Sequence, residues 1–219
     1  MTETYHYDLG FGSEYEKLIL RNIVKEMIHE LDLKTVCEYP TNNLMGDNSE
    51  VFSGHNLKID RLSRPEEANE RRYDLVWNFC EIEQQDSPFK TIDEMLSLTR
   101  RYLLIIVQNR RNPGVYLHKI YHNLTGRKWG HGNIQLMSPN LLVDFLSNYG
   151  RIIRTDYFDI PWFILDIYES GNLLRRLIPK SMEGSMLQMR RSRLEDLPIS
   201  YKKYLAHHAY VLFEKYSVA

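Results

Sequence analysis

Three short apolar runs end on side chains able to grip a polar ligand. "KTVCEY" contains Glu38, "NLKID" ends at Asp60 and "YDLVWNFC" carries Asn78 near its end. Between the first two lies a polar loop, Tyr39 to Asn48, with Gly46 at its centre. A carboxylate closing a parallel strand can accept hydrogen bonds from two ribose hydroxyls, each worth roughly 1.5–3 kcal/mol because the acceptor is charged. Gly46 takes one side chain out of the path of a ligand approaching the backbone. Each feature alone is commonplace, since strand-terminal acids often cap helices and lone glycines mark turns. Their joint pattern carries the expectation that Glu38, Asp60 and Asn78 converge on one crevice that holds a nucleotide-like ligand.

A second group of reactive side chains lies in "QNRRNPGVYLHKIYHNLTGRKWGHG", residues 108–132. His118 and His122 have i, i+4 spacing and would share a helix face, and His131 follows in a glycine loop. Three histidines could ligate zinc. However, no HExxH pattern is present and neither cysteine is near, so no metal is expected here. The plain reading is of capping or hydrogen-bonded loop histidines. The catalytic one makes His118 and His131 candidate general bases, able as neutral imidazoles to take a proton from an acceptor. Trp129 would wall that pocket or anchor the core.

The elements that must position these residues alternate. A helix is predicted from about Ser13 to Leu31, with Ser13 and Glu16 at capping-box spacing and Leu20, Ile23, Val24, Met27, Ile28 and Leu31 forming one apolar stripe. "KTVCEY", "NLKID", "YDLVWNFC" and "YLLIIVQN" read as strands, the last apolar enough to be covered on both faces. "NSEVFSG" reads as a brief helix, and "SPFKTIDEMLSLTRR" and "SPNLLVDFLSNYG" as full ones. Residues 109–138 read as a loop-rich passage. "RIIRTDYFDIPW" and "AHHAYVLFEKY" are late strands with no crossover helix between them in the same layer, so one should run antiparallel. The alternation predicts an α/β, Rossmann-like three-layer sandwich with a mostly parallel sheet. Residues 163–203 interrupt it as a mostly helical insertion.

With 219 residues, 43% of them hydrophobic and 26% charged, the chain suits one domain over 1–219 with an N-terminal helical segment at 1–34. A formal charge of −1 gives no basic field, which argues against binding generic phosphate backbone. No run approaches the ~20 apolar residues that span a bilayer, and "MTETYHYDLG" lacks the regions of a secretory signal. Cys37 and Cys80, the two cysteines, sit inside apolar runs and read as buried thiols, which fits a reducing cytoplasm.

From "YDLGFGSEYEKL" to "LAHHAYVLFEKY" the chain resembles the class I S-adenosylmethionine-dependent methyltransferases, in particular methyltransferase-like proteins with an extended "E-x-P…G-x-N-S" loop. "YDLVWNFCEIEQ" is similar to the family's fourth strand, "LTRRYLLIIVQNRRNPG" to its fifth, and "YFDIPW" to the end of its sixth. The resemblance implies that Glu38 supports the methionine amine of S-adenosylmethionine and that Asp60 binds its ribose. Arg61 would flank the adenine, with Asn78 and Phe79 beside the transferring methyl. Tyr39, Pro40, Gly46 and Asp47 belong to the loop that approaches the cofactor. This loop departs from the family: in "YPTNNLMGDN", Pro40, Asn42 and Leu44 stand where glycines are usual. Only Arg61 to Arg72 separate the second and third runs, too few for a helix–strand–helix unit, so the family's third strand should be missing.

The function expected is methyl transfer to a small-molecule acceptor. One alternative is a catalytically inactive binding or regulatory relative, suggested by the missing glycines. The other is an RNA or protein methyltransferase, suggested by Arg175, Arg176, Arg190 and Arg191 in the insertion. That insertion, with Met182, Met186, Leu187 and Met189, would form an adaptable lid or a partner surface. A nicotinamide enzyme is disfavoured because no G-x-G-x-x-G follows a strand.

Overall fold

Leu20, Val24 and Met27 recur at i, i+4 and i+7, and all three are buried against the sheet along the first helix, α1 (Glu14–Leu31). The computed structural model describes residues 14–41, 49–126, 128–160 and 196–216. Ser13, Gly46, Asp47 and most of the predicted insertion, including Arg175, Arg176, Arg190, Arg191 and its methionines, lie outside the described residues.

Six strands are described: β1 (Thr35–Glu38), β2 (Lys58–Arg61), β3 (Tyr73–Phe79), β4 (Thr99–Gln108), β5 (Gly150–Phe158) and β6 (His208–Lys215). They pair in the order β2-β1-β3-β4-β6-β5. The pairs β1–β2, β1–β3 and β3–β4 are parallel, while β6 runs antiparallel to both neighbours. Strand order reverses at β1, which has β2 on one side and β3 on the other. Residues 62–72 contain one short 3-10 turn, Pro65–Ala68, and no strand, as the short connection predicted, so β2 is the edge of the sheet among the described residues.

Two apolar layers cover the sheet. On one face α1, Val51 and Phe52 pack over Val36, Leu75, Trp77, Leu104, Ile106 and Leu212. On the other, helices α2 (Pro88–Leu98) and α4 (Pro139–Leu146) pack over Cys37, Val76, Leu103, Ile105, Val107 and Val211. Strand β4 supplies both layers by simple alternation, which explains its unbroken apolar run. Both cysteines are buried free thiols, and burial pushes Cys37 up to about 12.

Two expectations change. The helix predicted through Arg101 stops at Leu98, because Thr99 already pairs with Tyr73 as the first residue of β4. The passage read as loop-rich contains a thirteen-residue helix, α3 (Pro113–Thr125). Its boundary signals are local: Asn112 accepts from the Gly114 N–H, Pro113 opens the first turn, and Gly126 closes it at φ 68°. A last helix, α5 (Ile199–Leu205), lies at the end of the predicted insertion and leads directly into β6. No helix among the described residues is long and apolar enough to cross a membrane.

Candidate functional site

The carboxyl ends of β1, β2 and β3 lie along one edge of the sheet at the reversal of strand order, the position where open α/β sheets bind ligands. Their polar side chains do not meet there. The β1–β2 register sets Glu38 beside Arg61 and Cys37 beside Asp60, so Glu38 and Asp60 point to opposite faces. Glu38 shares the α1 face with Val36 and Trp77, and Arg61 Nε donates to its Oε2 at 2.8 Å. Asp60 lies on the α2 face, where Tyr73 O–H donates to it at 2.7 Å and Arg71 at 2.8 Å. Asn78 points to the same face as Asp60 but is fully engaged. Its amide donates to the Tyr39 carbonyl at 3.2 Å, and its oxygen accepts from the N–H groups of Glu81 and Ile82. Asn78 therefore builds the turn after β3. Phe79 points the other way, its ring 5.2 Å from that of His208.

After Glu38 the chain does not turn sharply. Leu62 N–H donates to Glu38 O, and Thr41 N–H donates to Leu62 O, so residues 39–41 continue alongside β2. Tyr39 and Pro40, joined by a cis peptide, are both buried. The Tyr39 ring belongs to the α2-side core, and its hydroxyl donates to Glu94 at 2.6 Å. Burial and that carboxylate raise the phenol well above its ordinary range.

At the ends of β4 and β5 and the start of β6, a denser group of titratable side chains assembles. Because β6 is antiparallel, its first residue lies at the carboxyl edge of the parallel strands, level with Gln108 and Phe158. His208 Nε2 is 3.0 Å from Glu16 of α1, and its Nδ1 is 3.4 Å from Cys80 Sγ. The carboxylate read as half of a capping box thus reaches across the fold to an imidazole. His207 Nδ1 is 3.2 Å from Asp159, which holds φ 63° at the end of β5. Burial, then the neighbouring His208, His131 and His118, hold His207 well below the usual histidine range. Asn109 and Asn112 donate to the carbonyls of Lys203, Leu205 and Ala206, which fixes the turn that presents this histidine pair.

His118, His122 and His131 come together beside this group, with Trp129 packed against all three rings. His131 Nδ1 lies 3.3 Å from the Gln108 side-chain amide. Gly132 holds φ 80°, and a Cβ there would stand 2.2 Å from the Glu83 carbonyl, so only glycine lets this loop close. Glu83 is itself buried. Its Oε1 accepts from the Gln108 N–H, its Oε2 finds no hydrogen-bond partner among the described residues, and burial raises its carboxyl to about 7. Of this edge, the sequence singles out His118, His122, His131 and Trp129. Glu16, Glu83, Asp159, His207 and His208 are legible only as tertiary neighbours, although the "HH" opening a strand was a signal.

No family model and no curated protein matches the chain in sequence. Among solved structures, one similar chain is described as a candidate sarcosine dimethylglycine methyltransferase from Galdieria sulphuraria. It shares 11% identity at a TM-score of 0.51, over 96% of this chain and 93% of that one. The MccD protein is also similar, at 12% identity and a TM-score of 0.50, over 88% of this chain and 96% of that one. The chain has the Rossmann-like fold of the class I S-adenosylmethionine-dependent methyltransferases.

Proposed function

We propose that the protein binds S-adenosylmethionine at the carboxyl ends of β1–β3 and transfers its methyl group to a small-molecule acceptor. The observation that carries this reading is the reversal of strand order at β1 within a methyltransferase-like sheet, with part-exposed Asp60 paired to Arg71 at its edge. In this reading Asp60 accepts from the ribose hydroxyls. The Glu38–Arg61 pair borders the same crevice, Arg61 beside the adenine. Asn78 and Phe79 shape the turn beside the reacting centre, while Gly46 and Asp47 belong to the cofactor loop. When bound, the cofactor supplies an electrophilic methyl on a sulfonium sulfur. The protein's part is to align the acceptor and exclude water. His118 and His131 are the bases for an acceptor that must lose a proton.

One observation favours the second reading, an inactive binding or regulatory protein. Tyr39 and Pro40 lie in the core where the family's glycine turn would run, and Glu38 is already paired with Arg61. Calorimetry with S-adenosylmethionine and S-adenosylhomocysteine separates the two. The first reading expects saturable binding of both, weakened at least tenfold in Asp60→Ala, since one charge-assisted bond exceeds ~1.4 kcal/mol. Silence at millimolar ligand, with the protein folded, leaves only the second.

A further inference from the structure

His118 and His122 present Nε2 to Nε2 at 3.1 Å, and the ligand atoms of His118, His122 and His131 all lie within 4.8 Å of one another. Ring packing alone does not account for the way the imidazoles are turned. His122 Nδ1 is 2.9 Å from the Lys128 carbonyl, which can only accept, so Nδ1 carries a proton and Nε2 is the nitrogen turned to the group. His131 Nδ1 lies 3.3 Å from the Gln108 side-chain amide, which holds that ring at the edge of the group. Donating one ring N–H to a carbonyl while the other nitrogen faces inward, as His122 does, is how proteins orient metal-bound histidines. Nitrogens about 2.0–2.1 Å from a tetrahedral zinc ion stand roughly 3.3–3.4 Å apart, close to the 3.1 Å between His118 and His122. Donors of this softness and number suit a divalent ion of the zinc class rather than magnesium or calcium.

The neighbouring group of Glu16, Asp159, His207 and His208 is equally tight but different in kind. There each imidazole meets a carboxylate, His208 with Glu16 and His207 with Asp159, and these contacts account for its burial.

We propose that His118, His122 and His131 bind one divalent transition-metal ion, zinc by preference, beside the carboxyl end of β4. Three protein ligands leave the fourth position of a tetrahedral ion to water or to a substrate atom. The proposal goes beyond methyl transfer and stands whether or not the cofactor binds; with the ion in place, His118 and His131 act as ligands and not as general bases.

The test uses the full-length untagged protein, stripped with a chelator and titrated with zinc and with cobalt(II). One equivalent of zinc is expected to bind and raise Tm, and cobalt to show the ligand-field bands of a tetrahedral nitrogen-bound site. His118→Ala and His131→Ala should each weaken zinc binding at least tenfold, whereas His29→Ala, on exposed α1 surface, should leave it unchanged. His118 is only part-buried, so its variant is expected to fold, as circular dichroism will show. Absence of zinc binding at micromolar metal, or binding undiminished in both variants, overturns the proposal.

Discussion

At the scale of single residues, the burial of Glu83 has a measurable consequence. Its carboxyl is raised from 4.5 to about 7 by desolvation, so the folded state prefers it protonated. The unfolded chain ionises first. Stability from this group is therefore fully present below about pH 4.5 and declines as pH rises to about 7, by an amount on the order of 3 kcal/mol. Urea melts of the metal-free protein across this range should show the decline. Glu83→Gln keeps an acceptor for the Gln108 N–H and cannot ionise, so its profile should be flatter and its stability at pH 8 higher than that of the parent. An unchanged slope would show that Glu83 titrates near its ordinary value.

At the scale of elements, α3 is tied to the start of β6 by one side chain. The Asn112 oxygen caps α3 while its amide donates to the carbonyls of Leu205 and Ala206, 2.9 and 3.1 Å away. Asn112→Ala should cost about 2 kcal/mol, the sum of a lost cap and buried carbonyls left without their donor. Asn112→Asp retains the cap acceptor but cannot donate to the carbonyls, so it should still destabilise by more than half as much. Equal stability of the aspartate variant and the parent, read by chemical denaturation, would assign the whole effect to the cap. The passage containing α3 reads as loop from composition, because its Asn, Gly and His residues are turn formers. Asn112, Pro113 and Gly126 were nonetheless the helix signals, and the i, i+4 histidines between them have the helical spacing.

At the scale of the molecule, the sheet is stable from the centre outward. Strand β4 is buried between two strands and beneath both apolar layers, whereas β2 is four residues long, part-exposed and paired on one side among the described residues. Native-state hydrogen exchange should therefore find Ile105, Ile106 and Val107 among the slowest amides and those of β2 opening at much lower free energy. If ligands bind at the strand-order reversal, they should slow β2 exchange while leaving β4 nearly unaltered. Comparable protection of β2 and β4 would argue against a weak edge.

The sequence by itself determined the layers and the strand succession, including one antiparallel strand near the C-terminus and, among the described residues, the absence of a strand between β2 and β3. Apolar periodicity and connection length are local properties, and they survive without knowledge of the partners. It also placed Glu38, Asp60 and Asn78 at strand ends on one edge. Only the tertiary structure decided that they face different ways, because pairing Glu38 with Arg61 is a matter of register between strands twenty residues apart. The same holds for the histidine centre. His118 and His122 were one helical turn apart in the sequence, but the return of β6 beside β4 brings His207 and His208 to them, and α1 brings Glu16. Proximity of that kind depends on how the chain closes on itself, which no spacing along it records.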